Sequence, residues 1–132
     1  LFSRFLIVCS FLLTVPVVQA APGVVATENP LAAAAGARIL EQGGSAVDAA
    51  IATALAVCTV HPSSCGIGGG GFLVLWHAPE KTAAALDFRE RAPGASSKEL
   101  YEEDGVYIPA RSRRGGLAIG VPGEIRGFHA AH

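Results

Sequence analysis

From Val24 to His132 the spacing of apolar positions changes several times, and each change marks an element boundary. Val24-Val25-Ala26 is a short apolar run that predicts a strand. Asn29-Pro30 then opens a helix. The Asn side chain can cap a free backbone N–H, and Pro suits the first turn because its missing N–H had no partner there. Leu31, Ala35 and Ile39 recur every four residues and predict the buried face, with Arg38 and Glu41 outward. Gly43-Gly44 ends this helix, since glycine reaches left-handed backbone without a Cβ clash. Ser45-x-x-Asp48 is a capping-box pattern that starts a second helix. From Ala46 to Thr59 nearly every residue is apolar or small, which predicts a helix buried on all sides.

Strand-like runs follow. Phe72 to Trp76 predicts a buried strand and Lys81 to Phe88 a second, with Pro79 between them, so the two form a hairpin. Ser96 to Glu103 predicts a short amphipathic helix, Asp104-Gly105 a turn, and Tyr107-Ile108-Pro109 an extended piece. Gly115 to Gly123 predicts a glycine-punctuated strand, and Glu124 onward resumes helix character up to His132.

The beginning of the chain has a different composition. Arg4 supplies a positive start, Phe5 to Leu13 is almost unbroken apolar sequence, and Val18-Gln19-Ala20 offers the small residues a signal peptidase reads. Residues 1–20 therefore predict a secretory signal cleaved before Ala21, and residues 21–132 the body of the chain. Pro16 and the short apolar core separate this segment from a membrane anchor, which needs ~20 apolar residues. The protein is expected to be exported, to a periplasm or to the extracellular space. An exported location permits a disulfide, but the sequence leaves open whether Cys58 and Cys65 pair; unpaired, they read as a small helix residue and a loop residue. The chain has no Met and its final helix-like run reaches His132, so it is expected to be the N-terminal portion of a longer protein.

Charge and composition exclude two classes. Lys plus Arg number 10 against 11 Asp plus Glu, and this near-balance argues against nucleic-acid binding. With 51% hydrophobic and 16% charged residues the chain is not a disordered one. Gly66-x-Gly68-x-x-Gly71 matches a dinucleotide fingerprint in letters only. That motif follows a strand and opens a helix, whereas here a helix precedes the glycines and a strand follows. The expected role is a tight turn that packs another segment against it. Ser63, Ser64 and Cys65 beside His61 form no nucleophile elbow. His61, His77, His129 and His132 lack metal-ligand spacing, so no metal is expected. Arg89 is the most informative side chain. It follows a predicted strand end, where a guanidinium can grip a carboxylate with two parallel hydrogen bonds. Its bland reading is a surface ion pair with Glu90 or Asp87.

Four ordered pieces together resemble one family. They are Gly43-Gly44-Ser45-Ala46-Val47-Asp48-Ala49-Ala50, then Gly66-Ile67-Gly68-Gly69-Gly70-Gly71-Phe72, then Arg89-Glu90-Arg91-Ala92-Pro93, and Gly115-Gly116-Leu117-Ala118-Ile119-Gly120-Val121-Pro122-Gly123-Glu124. In this order and spacing they are similar to the N-terminal part of the large subunit of gamma-glutamyltransferases (gamma-glutamyltranspeptidases), over essentially everything from Val24 to His132. The resemblance implies an α+β fold, the N-terminal-nucleophile hydrolase αββα sandwich. It implies a precursor that cuts itself into large and small subunits. The freed N-terminal Thr of the small subunit attacks the gamma-glutamyl amide of glutathione or a related donor, with its own amine as base. The acyl group passes to water or to an acceptor amino acid or peptide. Arg89 is implied to hold the alpha-carboxylate of the glutamyl group, and Glu90 to fix Arg89 in place. The resemblance assigns no catalytic residue within this chain: the Thr is expected beyond His132. No cofactor is expected, and Cys65 is assigned no role. A sister acylase of the same fold, taking beta-lactam side chains, and an inactive exported binding protein are the alternatives.

Overall fold

The computed structural model of the chain describes residues 23–132, so the signal expected over residues 1–20 lies outside the described residues. The order of elements is α1 (Pro30–Glu41), α2 (Ala46–Val60), β1 (Phe72–His77), β2 (Thr82–Asp87), β3 (Glu102–Glu103), β4 (Val106–Tyr107) and α3 (Glu124–Ala131).

The two helix starts form as the sequence predicts, because each is decided by a local hydrogen bond. Asn29 stays extended while its Oδ1 accepts from the Leu31 N–H at 2.9 Å. Ser45 and Asp48 complete both halves of the capping box: the Ser45 N–H donates to Asp48 Oδ2 at 2.8 Å, and the Asp48 N–H to Ser45 Oγ at 3.2 Å. These bonds, the Ser45 backbone N–H foremost, hold the Asp48 carboxyl below the usual carboxylate range, and His132 adds to the effect.

The buried face of α1 is not the expected Leu31–Ala35–Ile39 row. Ala32 and Gly36 are buried, and Leu31 is 69% exposed. The cause is the partner. A Cβ on Gly36 would strike the Thr53 hydroxyl and lie 2.9 Å from the Ala49 carbonyl oxygen on α2. The helices meet along small residues because only there do the two backbones come this close. Ala49 and Thr53 are the buried residues of α2, and Leu55 on another side is 39% exposed, so α2 is not covered on all sides among the described residues.

β1 and β2 pair antiparallel from Phe72↔Asp87 to His77↔Thr82. Alternation puts Leu73 and Leu75 toward a cleft shared with Val47, Ala130 and Ala131. The opposite face carries Phe72, Val74 and Trp76 and is open, so β1 is not the buried strand expected but half-buried on one side and exposed on the other.

Three further expectations are corrected. Val24 to Ala26 forms no regular element and pairs with no strand among the described residues. Ser96 to Glu103 is a chain of i→i+3 turns, such as Leu100 N–H to the Ser97 carbonyl at 3.2 Å, ending in β3. So short a segment gains too few helical bonds to offset nucleation. Gly115 to Gly123 is a 3₁₀ turn over Gly116–Ala118 and then a single bridge, Val121 to Arg91, rather than a strand. The Asp104-Gly105 turn forms between β3 and β4 as predicted, with φ of 51° and 79°. Cys58 and Cys65 are joined as a disulfide, with Cα atoms 4.5 Å apart.

Candidate functional site

Past the end of β2 the chain continues as Phe88-Arg89-Glu90-Arg91, and this segment is enclosed by glycines. Phe88 is 6% exposed, and its ring meets that of Phe128 edge-on at 5.9 Å. Its N–H donates to the Gly71 carbonyl at 3.0 Å. On one side a Cβ at Gly70 would collide with the Phe88 carbonyl oxygen and lie 2.9 Å from Arg89 Cα. On the other, a Cβ at Gly123 would overlap the same carbonyl oxygen and lie 2.9 Å from that of Arg89. A Cβ at Gly127 would enter the Phe88 ring. Three stretches of chain thus lie at backbone-to-backbone distance. They are fastened by the Gly123 and Glu124 N–H groups, which both donate to the Gly69 carbonyl (2.9 and 3.0 Å), and by paired bonds between Arg91 and Val121 (3.1 and 2.8 Å). The glycine run therefore packs another segment, as its position between α2 and β1 predicts, and its shape is not that of a phosphate loop.

This clamp fixes the backbone of Arg89 and leaves its side chain outside. The Arg89 N–H donates to Asp87 Oδ1 at 3.0 Å, so Asp87 braces the main chain rather than the guanidinium. Arg89 Nε lies 3.9 Å from Glu90 Oε2, beyond hydrogen-bond range, and the side chain is 67% exposed. An exposed pair at that distance contributes little, and the guanidinium keeps donors for a ligand. Glu90 is placed by two glycines: its Oε1 would be 3.4 Å from a Cβ on Gly69, and its own Cβ 3.1 Å from one on Gly120.

Sequence reading missed Glu124, which it took only for the start of the last helix. Glu124 is 7% exposed, and its N–H donates to the Gly69 carbonyl at 3.0 Å. Burial pushes its carboxyl up, and the Glu90 charge pushes the same way. One of its carboxylate oxygens and the sulfurs of Cys58 and Cys65 all lie within 4.8 Å of one another. The one available signal was its place directly after Pro122-Gly123, where a first-turn residue is held close to whatever the glycine packs against.

The remaining candidates do not converge. His61 Nδ1 meets Glu28 Oε1 at 2.6 Å, His77 Nδ1 meets Glu80 at 3.5 Å, and His132 Nδ1 meets Asp48 Oδ1 at 2.9 Å, each in a different part of the chain. Ser63 and Ser64 are exposed turn residues. No helix among the described residues is long and apolar enough to cross a membrane.

Comparison with known proteins matches this architecture to an N-terminal-nucleophile hydrolase, an α+β fold. The family model of gamma-glutamyltranspeptidase matches residues 32–132, and the chain belongs to that family. It is 45% identical over 115 residues to glutathione hydrolase proenzyme 1 of Schizosaccharomyces pombe, covering 87% of this chain and 18% of that protein. To glutathione hydrolase 3 of Arabidopsis thaliana it is 46% identical over 115 residues, covering 87% of this chain and 17% of that one. The crystal structure of Helicobacter pylori gamma-glutamyltranspeptidase superposes with a TM-score of 0.77 at 41% identity, covering 87% of this chain and 33% of that chain. The chain thus spans less than a fifth of the length of these two curated relatives.

Proposed function

We propose that this chain serves a gamma-glutamyl amide hydrolase and transferase acting on glutathione and related gamma-glutamyl compounds, and that Arg89 holds the alpha-carboxylate of the donor. The observation that carries this reading is the contrast within Arg89 itself. Its backbone is wedged between Gly70 and Gly123, while its guanidinium is exposed and only loosely met by Glu90. A fork held at its root and open at its tip suits bidentate capture of a carboxylate. Glu90, at 3.9 Å, is the neighbour that steers the fork when the carboxylate binds. Family membership and the similarity to glutathione hydrolases support the substrate class.

The attacking Thr is supplied from outside this chain, by the small subunit released from the same precursor. The open face of Phe72, Val74 and Trp76 supports such a partner, since a contiguous apolar surface marks an interface. The enzyme works outside the cytoplasm, in a periplasm or beyond it, and passes the gamma-glutamyl group to water or to an acceptor amino acid or peptide.

The test is turnover of gamma-glutamyl-p-nitroanilide by the full-length protein and its Arg89→Lys variant. An ammonium cannot reproduce two parallel bonds, and losing one charge-assisted bond costs about 1.5–3 kcal/mol. The variant's donor KM should rise roughly 10- to 100-fold. An unchanged KM would refute the role of Arg89 and favour an acylase that needs no alpha-carboxylate grip. No turnover by the folded wild type would favour a binding protein.

A further inference from the structure

We propose that Cys58, Cys65 and Glu124 form a thiol–disulfide exchange site, in which the disulfide is opened by small external thiols and Glu124 gives its proton to the departing sulfur. Placement is the first ground. Cys58 lies in the last turn of α2 and Cys65 just before the glycine run, joined through a turn in which the Ser64 and Cys65 N–H groups donate to the His61 carbonyl (3.1 and 3.2 Å). Access is the second. Both cysteines are half-buried rather than sealed. Cys65 also lines an open groove of about 570 Å³ beside Val25, Thr53 and Val57, room enough for a small thiol.

The third ground is the carboxyl group. Glu124 brings one carboxylate oxygen within 4.8 Å of both sulfurs, is 7% exposed, and forms no ion pair among the described residues. The surfaces packed around it explain its proton affinity. α2 contributes the two-sulfur bridge through Cys58, the glycine run no charge, and the Phe88–Arg91 segment the Glu90 carboxylate. Arg126 and His129 of its own helix are exposed. Burial first and Glu90 second therefore favour the protonated acid above the usual carboxylate range.

An external thiolate attacks Cys65 Sγ, the bond between the two sulfurs breaks, and its electron pair leaves on Cys58 Sγ. The Glu124 carboxyl protonates that sulfur and becomes a carboxylate, which solvent reprotonates. A second thiolate attacks the mixed disulfide, so two external thiols are oxidised to one disulfide and Cys65 leaves as a thiol after taking a proton from solvent. A protein dithiol is the reduced product.

The full chain, purified without reductant, can be challenged with 2-mercaptoethanol between about pH 5 and 8, quenched with N-ethylmaleimide and read by peptide mass mapping at Cys58 and Cys65. Both cysteines should be unlabelled before reduction. At the acid end Glu124→Gln should be reduced about tenfold more slowly than wild type, modest beside a typical general-acid effect because a thiolate is already a fair leaving group. The gap should narrow as pH rises and wild-type Glu124 loses its proton. Glu124→Asp should recover part of the rate. A purely packing role predicts the opposite sign, since loosening the site would expose the disulfide and speed its reduction. Faster or equal reduction of Glu124→Gln, or labelling of both cysteines without reductant, would overturn the proposal.

Discussion

Glycine is used in two opposite ways in this chain. Around Phe88, Gly70, Gly123 and Gly127 leave no room for a Cβ, and each faces the Phe88–Arg89 stretch. In residues 94–118, Gly94, Gly105, Gly115 and Gly116 have nothing within 4 Å, and Gly105 and Gly115 are needed instead for positive φ, at 79° and 82°. The first region is built by contact between distant segments. The second is built by local turns, with one good surface ion pair, Arg111 Nη2 to Glu103 at 3.0 Å. Close packing therefore concentrates at the root of Arg89, where the proposed binding role calls for a fixed backbone, while the neighbouring loop is shaped by its own local turns.

This contrast can be broken by single substitutions, measured by denaturant unfolding. Gly123→Ala should cost the most, about 3 kcal/mol or more, because its Cβ meets backbone carbonyls that cannot rotate away. Gly105→Ala has space but keeps a left-handed backbone, so about 1–2 kcal/mol is expected. Gly94→Ala should stay within about 0.5 kcal/mol. Equal losses at Gly123 and Gly94 would contradict the division. A subtler effect comes from Glu124. Its raised proton affinity in the folded state means that folding favours the protonated acid, so stability from this group is full below its ordinary value and lost as pH rises through the folded one. Unfolding of Glu124→Gln against wild type should show the variant gaining relative stability from acid toward neutral pH. A pH-independent difference would count against the buried, charge-disfavoured carboxyl.

What the sequence made legible follows the same line. Asn29, the Ser45–Asp48 box, the β1–β2 hairpin and the Asp104-Gly105 turn were readable because each is decided by bonds within a few residues. The face of α1 was not, because Thr53 and Ala49 on another helix select Gly36 rather than Leu31. Gly115 to Gly123 looked like a strand because glycine-spaced apolar residues carry no record of the partner; its one bridge is to Arg91. At the candidate site, Arg89 was visible as a cation past a strand end, and the structure puts it there. Neither the burial of Glu124 nor its approach to Cys58 and Cys65 was visible, since both arise from three segments meeting in space.

A crystal structure of the full-length protein with L-glutamate bound tests the role of the Arg89 guanidinium most directly. Two parallel contacts of about 2.7–2.9 Å from Arg89 to the ligand's alpha-carboxylate are predicted. A glutamate bound elsewhere, with Arg89 turned to bulk water, would contradict it.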